Sequence, residues 1–412
     1  MEQETTAGKG EEMEQEVQRS YWIDAAKLVA ILGVLVDHTQ NVLYSNHRIA
    51  DFSYYSVGLF IFLMGVTGYG SYSRYRGSIP EKLKKNFWKI ARPYLVATFI
   101  FSIAQDGQFT FLAFWKRLLY FNASAPFYYV ALYLQLMAVI PVFAALLRVT
   151  SMKKGGIFLE MLVFGATVIL SVWTTNHSNI LDIYGGGGRL LGGSYLILCY
   201  LGMLFGKYRS RISVKPPVAI LAWIAGICIT LEWGLDMAGR SYWLERYLPI
   251  GDGRNPPGFG LGLYAVFMAI TLYFMEKALS FSPGLTWAFR LVSALGKHTL
   301  YIFLYHRLFL DFLLPPFFPR SNIWLMRVGY FAGMIGGFDG DRMALQAASL
   351  ACEQCLFPAP HVRHIYHIRS IPRAAYEARL SHRAILCAVR KDPLFPGRIA
   401  GGRSYVGITI VM

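Results

Sequence analysis

Long apolar stretches separated by short polar connections dominate the chain. An α-helix needs about 20 predominantly apolar residues to cross the hydrocarbon core of a bilayer, and these stretches approach that length. The ten stretches lie at residues 22–43, 53–72, 91–107, 126–147, 156–174, 190–206, 216–234, 258–275, 296–313 and 322–336. The pattern predicts an all-α fold, a polytopic membrane helix bundle of about ten transmembrane helices.

Composition and charge agree with a multi-pass protein of the plasma or inner membrane. Hydrophobic residues make up 55% of the chain and charged residues 16%, which argues against a soluble protein. The net charge of +16 does not call for a nucleic-acid partner, because membrane proteins concentrate Lys and Arg in cytoplasmic loops. The loops on the side of the N-terminus hold about twice as many Lys and Arg as the opposite loops. With an even number of spans, this bias predicts that both termini are inside.

Three regions are expected along the chain. Residues 1–20 are acidic and polar, and we expect a disordered cytoplasmic tail. Residues 21–336 form the membrane domain. Residues 337–412 are irregular and Arg-rich, which fits either a disordered tail or a shifted reading frame, and the second is favoured. A Cys-x-x-Cys pair at Cys352 and Cys355 with nearby histidines imitates zinc-ligand spacing, but a lone pair of this kind is more often chance, so no metal site is expected.

The first apolar stretch carries Asp24, Lys27, Asp37 and His38. Ionisable side chains inside a spanning helix are costly and therefore mark functional sites. At about 100° per residue, Asp24, Lys27 and His38 share one helix face, and Lys27 and His38 lie about 16 Å apart along the axis. Asp24 and Lys27 could simply pair at i and i+3. His38 could be a neutral buried histidine or a proton acceptor, whereas Asp37 is expected to face another helix.

Two later stretches add candidate chemistry. Lys89 and Arg92 stand one helical turn apart at the cytoplasmic mouth of the third predicted span. They could reflect the positive-inside rule, but their density favours an anion site for phosphates. Tyr301, Tyr305 and His306 lie in a late span, where they could form an internal polar network or line a cavity facing His38.

Five segments follow one another along the chain: Asp24, Lys27 and His38; LFIFLMGVTGY; Lys89, Arg92 and Pro93; FYYVALYLQL with Phe127 and Tyr128; and LGKHTLYIFLYH, ending in His306. In this order they resemble the membrane-bound acyltransferase-3 family, which includes O-acetylases of cell-surface polysaccharides. The first helix of that family has an acid, a cation and, ten residues on, a histidine. Its third helix begins with two cations and a proline. Lys stands at positions 27 and 89, where the family more often has Arg. The positive charge is kept, but the paired N–H donors with which a guanidinium binds a phosphate in bidentate fashion are lost.

The resemblance implies an enzyme that moves an acyl group, most often acetyl, from acyl-CoA to a carbohydrate hydroxyl. His38 would be the general base, with Asp24 and Lys27 as further catalytic residues. Lys89, Arg92 and Lys27 would hold the phosphates of the acyl-CoA, which is a co-substrate and not a permanently bound cofactor. The alternative is a transporter or flippase of a glycan or lipid precursor, which could also carry charges at mid-membrane. The absence of a visible internal repeat disfavours it.

Overall fold

A computed structural model of the protein describes residues 21–152, 155–241, 243–244 and 253–313. Regular structure in these ranges is helical. The α-helices are α1 (Tyr21–His38), α2 (His47–Phe52), α3 (Tyr55–Tyr72), α4 (Ile79–Asp106), α5 (Phe111–Tyr120), α6 (Tyr128–Met152), α7 (Gly156–His177), α8 (Tyr195–Tyr208), α9 (Pro216–Met237), α10 (Phe259–Leu279), α11 (Pro283–Leu295) and α12 (Thr299–Leu308). Short 3₁₀ turns lie at Ala125–Phe127, Gly185–Gly188, Leu190–Gly192, Arg209–Arg211 and Gly296–His298, and a π turn at Phe309–Leu313.

Six helical segments of the described chain are long and apolar enough to cross a membrane, which confirms the predicted all-helical membrane fold. They are His47–Tyr72, Ile79–Asp106, Ala125–Met152, Gly156–His177, Pro216–Met237 and Phe259–Leu279. Three more predicted stretches coincide with α1, α8 and α12. The tenth stretch, both predicted tails and the Cys352–Cys355 motif lie outside the described residues. The count of ten spans and the inside location of the termini stay predictions.

The first helix is shorter than predicted, because α1 ends at His38 and not near residue 43. Asn41 takes a left-handed backbone conformation with φ of 63°, which an α-helix does not accommodate. The chain turns back here, and the Tyr44 hydroxyl donates a hydrogen bond of 2.6 Å to the carbonyl oxygen of Val36, which also accepts from the Thr39 hydroxyl. His38 is therefore the last residue of α1.

The fourth helix is longer than the predicted span 91–107. It starts at Ile79 behind Ser78, whose side chain accepts a hydrogen bond from the backbone N–H of Glu81, and it ends at Gly107. With 28 residues it extends about 42 Å, more than the roughly 30 Å of a hydrocarbon core. Its basic first turns are therefore part of a helix and not of a loop.

The closest helix packing joins α3 to α8. A Cβ atom on Gly65 would lie 2.0 Å from the carbonyl oxygen of Cys199, and one on Gly202 would lie 2.0 Å from that of Phe62. Small residues at such crossings let two backbones approach, which is how helices gain packing energy in lipid. The two glycines therefore set the spacing between α3 and α8.

The start of α1 is fixed by α10 and by the segment before α12. The backbone N–H of Trp22 donates a hydrogen bond of 3.1 Å to Glu276 of α10. This places a carboxylate at the positive end of the helix. A Cβ atom on Gly296 would lie 1.8 Å from the carbonyl oxygen of Asp24, so the chain entering α12 lies directly against α1.

A buried polar cluster ties α6, α7 and α8 together. The Lys207 ammonium of α8 forms an ion pair with Glu160 of α7, and both side chains are almost fully buried. The Glu160 carboxylate also accepts hydrogen bonds from the hydroxyls of Thr150, at 2.7 Å, and Tyr208, at 2.5 Å. Lys207 donates further to the carbonyl oxygen of Leu147 at 3.2 Å. The carboxylate is thus held by three donors from two other helices.

Removing one partner of this pair should destabilise the protein. We expect Lys207→Met to cost about 3–5 kcal/mol, because it leaves Glu160 charged and buried without its cation. The double variant Lys207→Met/Glu160→Gln should recover most of that loss. Thermal unfolding of the purified protein in detergent measures both effects, with Lys215→Met, at an exposed lysine just before α9, as the control. An unchanged midpoint in the single variant would contradict the argument.

Candidate active site

Two histidines meet at the end of α1. His38 closes that helix with a partly buried side chain, and its ring centroid lies 5.0 Å from that of His306, with the ring planes 33° apart. His306 is on α12 and is completely buried. The structure thus places a histidine from each of two conspicuous segments side by side, with His38 the more accessible of the two.

The hydrogen bonds of His306 define its chemistry. Its Nδ1 atom lies 2.7 Å from the carbonyl oxygen of Phe303 and 3.2 Å from that of Ile302. Carbonyl oxygens only accept hydrogen bonds, so Nδ1 carries the proton and donates. In the neutral ring Nε2 then presents a lone pair. This atom is buried and has no hydrogen-bond partner among the described residues.

Asp24 and Lys27 lie at the opposite end of α1 and are bonded to each other. The Lys27 ammonium is 3.2 Å from the Asp24 carboxylate, with the Asp24 side chain nearly buried and that of Lys27 one-third exposed. The helix rise separates Lys27 from His38 by about 16 Å. We refer to these two ends of the bundle as the Lys27 end and the His38 end. The structure does not bring Asp24 or Lys27 to the two histidines.

Lys89 and Arg92 are both exposed on α4. The buried face of this helix carries Tyr94 and Phe101, and Arg92 lies about 180–200° away from both at 100° per residue. The Arg92 guanidinium lies 5.8 Å from the ring centroid of Trp88 on the same helix. The two cations therefore project from the surface of the bundle, where a large anionic ligand can reach them without entering the core.

The sequence did not single out an ion pair at the His38 end, between α2 and the segment before α10. The Arg254 guanidinium lies 3.2 Å from the Asp51 carboxylate and 4.7 Å from the ring centroid of Tyr54. The charges acting on the Asp37 carboxylate include Arg254, Asp51 and Arg307. Asp37 thus interacts with charges of other elements, as the helix geometry suggested. In the sequence, residues 235–257 mix charged with aromatic side chains, and this mixture is the signal that could have pointed to Arg254.

The chain around Arg254 is fastened to the bundle. The Asn255 side chain accepts a hydrogen bond of 3.0 Å from the backbone N–H of Gly186, and the Ser194 hydroxyl donates one of 2.7 Å to the carbonyl oxygen of Pro257. These bonds hold the chain around Arg254 against the 3₁₀ turn Gly185–Gly188 and against the start of α8. The described part of this connection is therefore a packed element of the His38 end and not a freely solvated loop.

Comparison with known proteins identifies the family of the chain. A family model described as an acyltransferase domain matches residues 20–338, which include every described helix. No curated protein and no solved structure matches the chain. The matched region is more than half of the chain, and it contains the helices that carry the two histidines and the exposed cations. The chain therefore belongs to the acyltransferase 3 family and is an integral membrane acyltransferase.

Proposed function

We propose that the protein transfers an acyl group, acetyl in the first instance, from acyl-CoA to a hydroxyl of a cell-surface carbohydrate, with His38 as the general base. The observation that carries the proposal is the placement of His38. It is the accessible imidazole of a histidine pair, at one end of a helix whose other end holds a cation. An imidazole exchanges protons near neutral pH, as this reaction requires.

The proposed reaction proceeds by direct transfer. His38 takes the proton of the acceptor hydroxyl while the oxygen attacks the thioester carbonyl carbon. A new C–O ester bond forms, the C–S bond breaks and the CoA thiolate leaves. The thiolate takes the proton from the His38 imidazolium, which returns the base to its starting state. No serine or cysteine of the enzyme carries the acyl group in this scheme.

The donor would be held at the Lys27 end. Lys89 and Arg92 supply exposed positive charge for the CoA phosphates, and Lys27, oriented by Asp24, supplies a third cation. The pantetheine arm would then extend along the bundle towards His38. The helix rise gives about 16 Å for this distance, which is comparable to an extended arm.

The acceptor would enter at the His38 end. Asp37 and Asp51 offer carboxylate oxygens, Arg254 offers N–H donors, and Tyr54 offers a ring and a hydroxyl. Sugar hydroxyls both donate and accept hydrogen bonds, so a mixture of this kind suits a saccharide. Donor and acceptor would approach His38 from opposite ends, so neither has to pass the other.

The general-base role predicts that His38→Ala lowers acyl transfer by about 10²–10⁴-fold while the protein stays folded. The assay combines purified protein, acetyl-CoA and isolated surface glycan, and measures both released CoA thiol and acetyl ester on the glycan. His47→Ala, at an exposed histidine of α2, is the matched control and should leave both rates unchanged. Full activity of His38→Ala would show that His38 is not the general base. Glycan movement without thiol release would favour the transporter alternative.

The donor site predicts that Arg92→Ala raises KM for acetyl-CoA by about tenfold, which corresponds to about 1.4 kcal/mol, and leaves KM for the acceptor unchanged. The lost energy is that of a charge-assisted hydrogen bond to phosphate. Lys84→Ala is the control, because Lys84 is an exposed cation of the same helix about 80° away from Arg92. Equal rises in KM for both substrates would show that Arg92 serves only to orient the helix in the membrane.

The acceptor site predicts the opposite pattern for Arg254→Ala. We expect a several-fold rise in KM for the acceptor with no change for acetyl-CoA. Thermal stability should fall only modestly, because the Arg254 side chain is 64% exposed and solvent screens the pair, although Asp51 itself is nearly buried. Arg48→Ala, at an exposed arginine of the neighbouring helix α2, is the control. A large loss of stability, or a rise in KM for acetyl-CoA, would show that Arg254 acts on the fold or on the donor.

A further inference from the structure

We propose that His306 is the positioning residue of the site: its Nε2 atom accepts a hydrogen bond from the ring N–H of His38. This bond would hold His38 in one tautomer, leave its other nitrogen free for the acceptor hydroxyl and stabilise the imidazolium that forms. The catalytic consequence depends on the proposed function of His38. The contact between the two rings does not.

The ring separation fits such a bond. An N–H···N hydrogen bond of ~2.9 Å, with each nitrogen ~1.2 Å from its own ring centre, places two imidazole centres at most ~5.3 Å apart, and slightly closer when the bond is bent. The His38 and His306 centroids are 5.0 Å apart. In the structure the two nitrogens are not yet in hydrogen-bond geometry, so the proposed bond requires the His38 ring to turn.

The direction of the bond follows from the anchoring of His306. Its Nδ1–H donates to carbonyl oxygens of its own helix, so the neutral ring offers only the lone pair of Nε2. That atom has no partner among the described residues, and a buried acceptor of this kind calls for a donor. His38 is the imidazole beside it, so the donor that geometry supplies is the N–H of the proposed base.

The neighbouring carboxylate does not take this role. Asp37 is adjacent to His38 in sequence and about 100° round the helix from it. Its carboxylate interacts with Arg254 and Asp51. Among the described residues, the charged side chain that acts on both histidines is Arg307 on α12. Arg307 is itself paired with Asp311 at 3.1 Å. A neutral imidazole as partner leaves the pair without added negative charge inside the membrane.

Two substitutions at His306 separate the hydrogen bond from packing. His306→Gln places an amide oxygen close to the position of Nε2, whereas His306→Met has a similar length and no strong acceptor. We expect transfer to fall by about 10–10²-fold in His306→Met and to stay within a few-fold of the native rate in His306→Gln. The acidic limb of the kcat/KM profile should move to lower pH in His306→Met, because the imidazolium loses its acceptor. Equal losses in both variants, with no movement of the profile, would overturn the proposal.

A second measurement needs no substrate. Diethylpyrocarbonate reacts with neutral imidazole, so the pH dependence of His38 labelling, read by peptide mass spectrometry, reports its protonation. The midpoint should move to lower pH in His306→Met and be nearly native in His306→Gln. This shift would support the ring contact even if no glycan accepted acetyl, which keeps the two proposals distinguishable. Identical midpoints would refute the contact even in an active enzyme. If His306→Met does not accumulate, the comparison uses His306→Asn, whose shorter side chain cannot place its oxygen at the Nε2 position.

Discussion

The arrangement of this bundle depends on the close approach of α3 and α8 at Gly65 and Gly202. Apolar side chains gain little from meeting each other in lipid, because the acyl chains are equally apolar, so contact between backbones becomes the main source of packing energy. α3 also packs against α1, α6 and α10. A methyl group at either glycine would push α3 away from α8 and would shift the helices around it. The position of His38 is therefore linked to a helix crossing in which it takes no part.

The charged groups and the histidine pair discussed above lie at the two ends of the described bundle. The His38 end combines the histidine pair with Asp37, Asp51 and Arg254, whereas the Lys27 end combines cations with the buried Glu160. Between these ends the helices are joined mainly by apolar and aromatic contacts. Such a division suits a reaction whose two substrates differ in polarity and arrive from different sides. In the proposed reaction, the same division would keep the phosphates of the donor away from the carboxylates that face the acceptor.

The sequence alone predicted the features that depend on composition and on short-range geometry. The helical membrane fold and the family resemblance are both confirmed, and the i, i+3 spacing of Asp24 and Lys27 anticipated the pair that the structure shows. Helix-wheel arithmetic identifies which residues share a face, but it does not identify the helix opposite. The pairing of Asp51 with Arg254 spans 203 residues and has no local signal. The early end of α1 depends on one left-handed residue, Asn41, which hydropathy does not detect.

The ion pair between Glu160 and Lys207 has a consequence for biogenesis. Each charge belongs to a different helix, so α7 entering the bilayer alone would carry an uncompensated carboxylate near its start. The compensating ammonium follows at the end of α8, after the chain has turned back. The two helices are therefore expected to leave the translocation machinery together, as a hairpin. Thr150 of the preceding α6 is by then in the membrane and can donate its hydrogen bond to the Glu160 carboxylate. The same contact that stabilises the finished bundle thus sets an order in which its parts can enter the membrane.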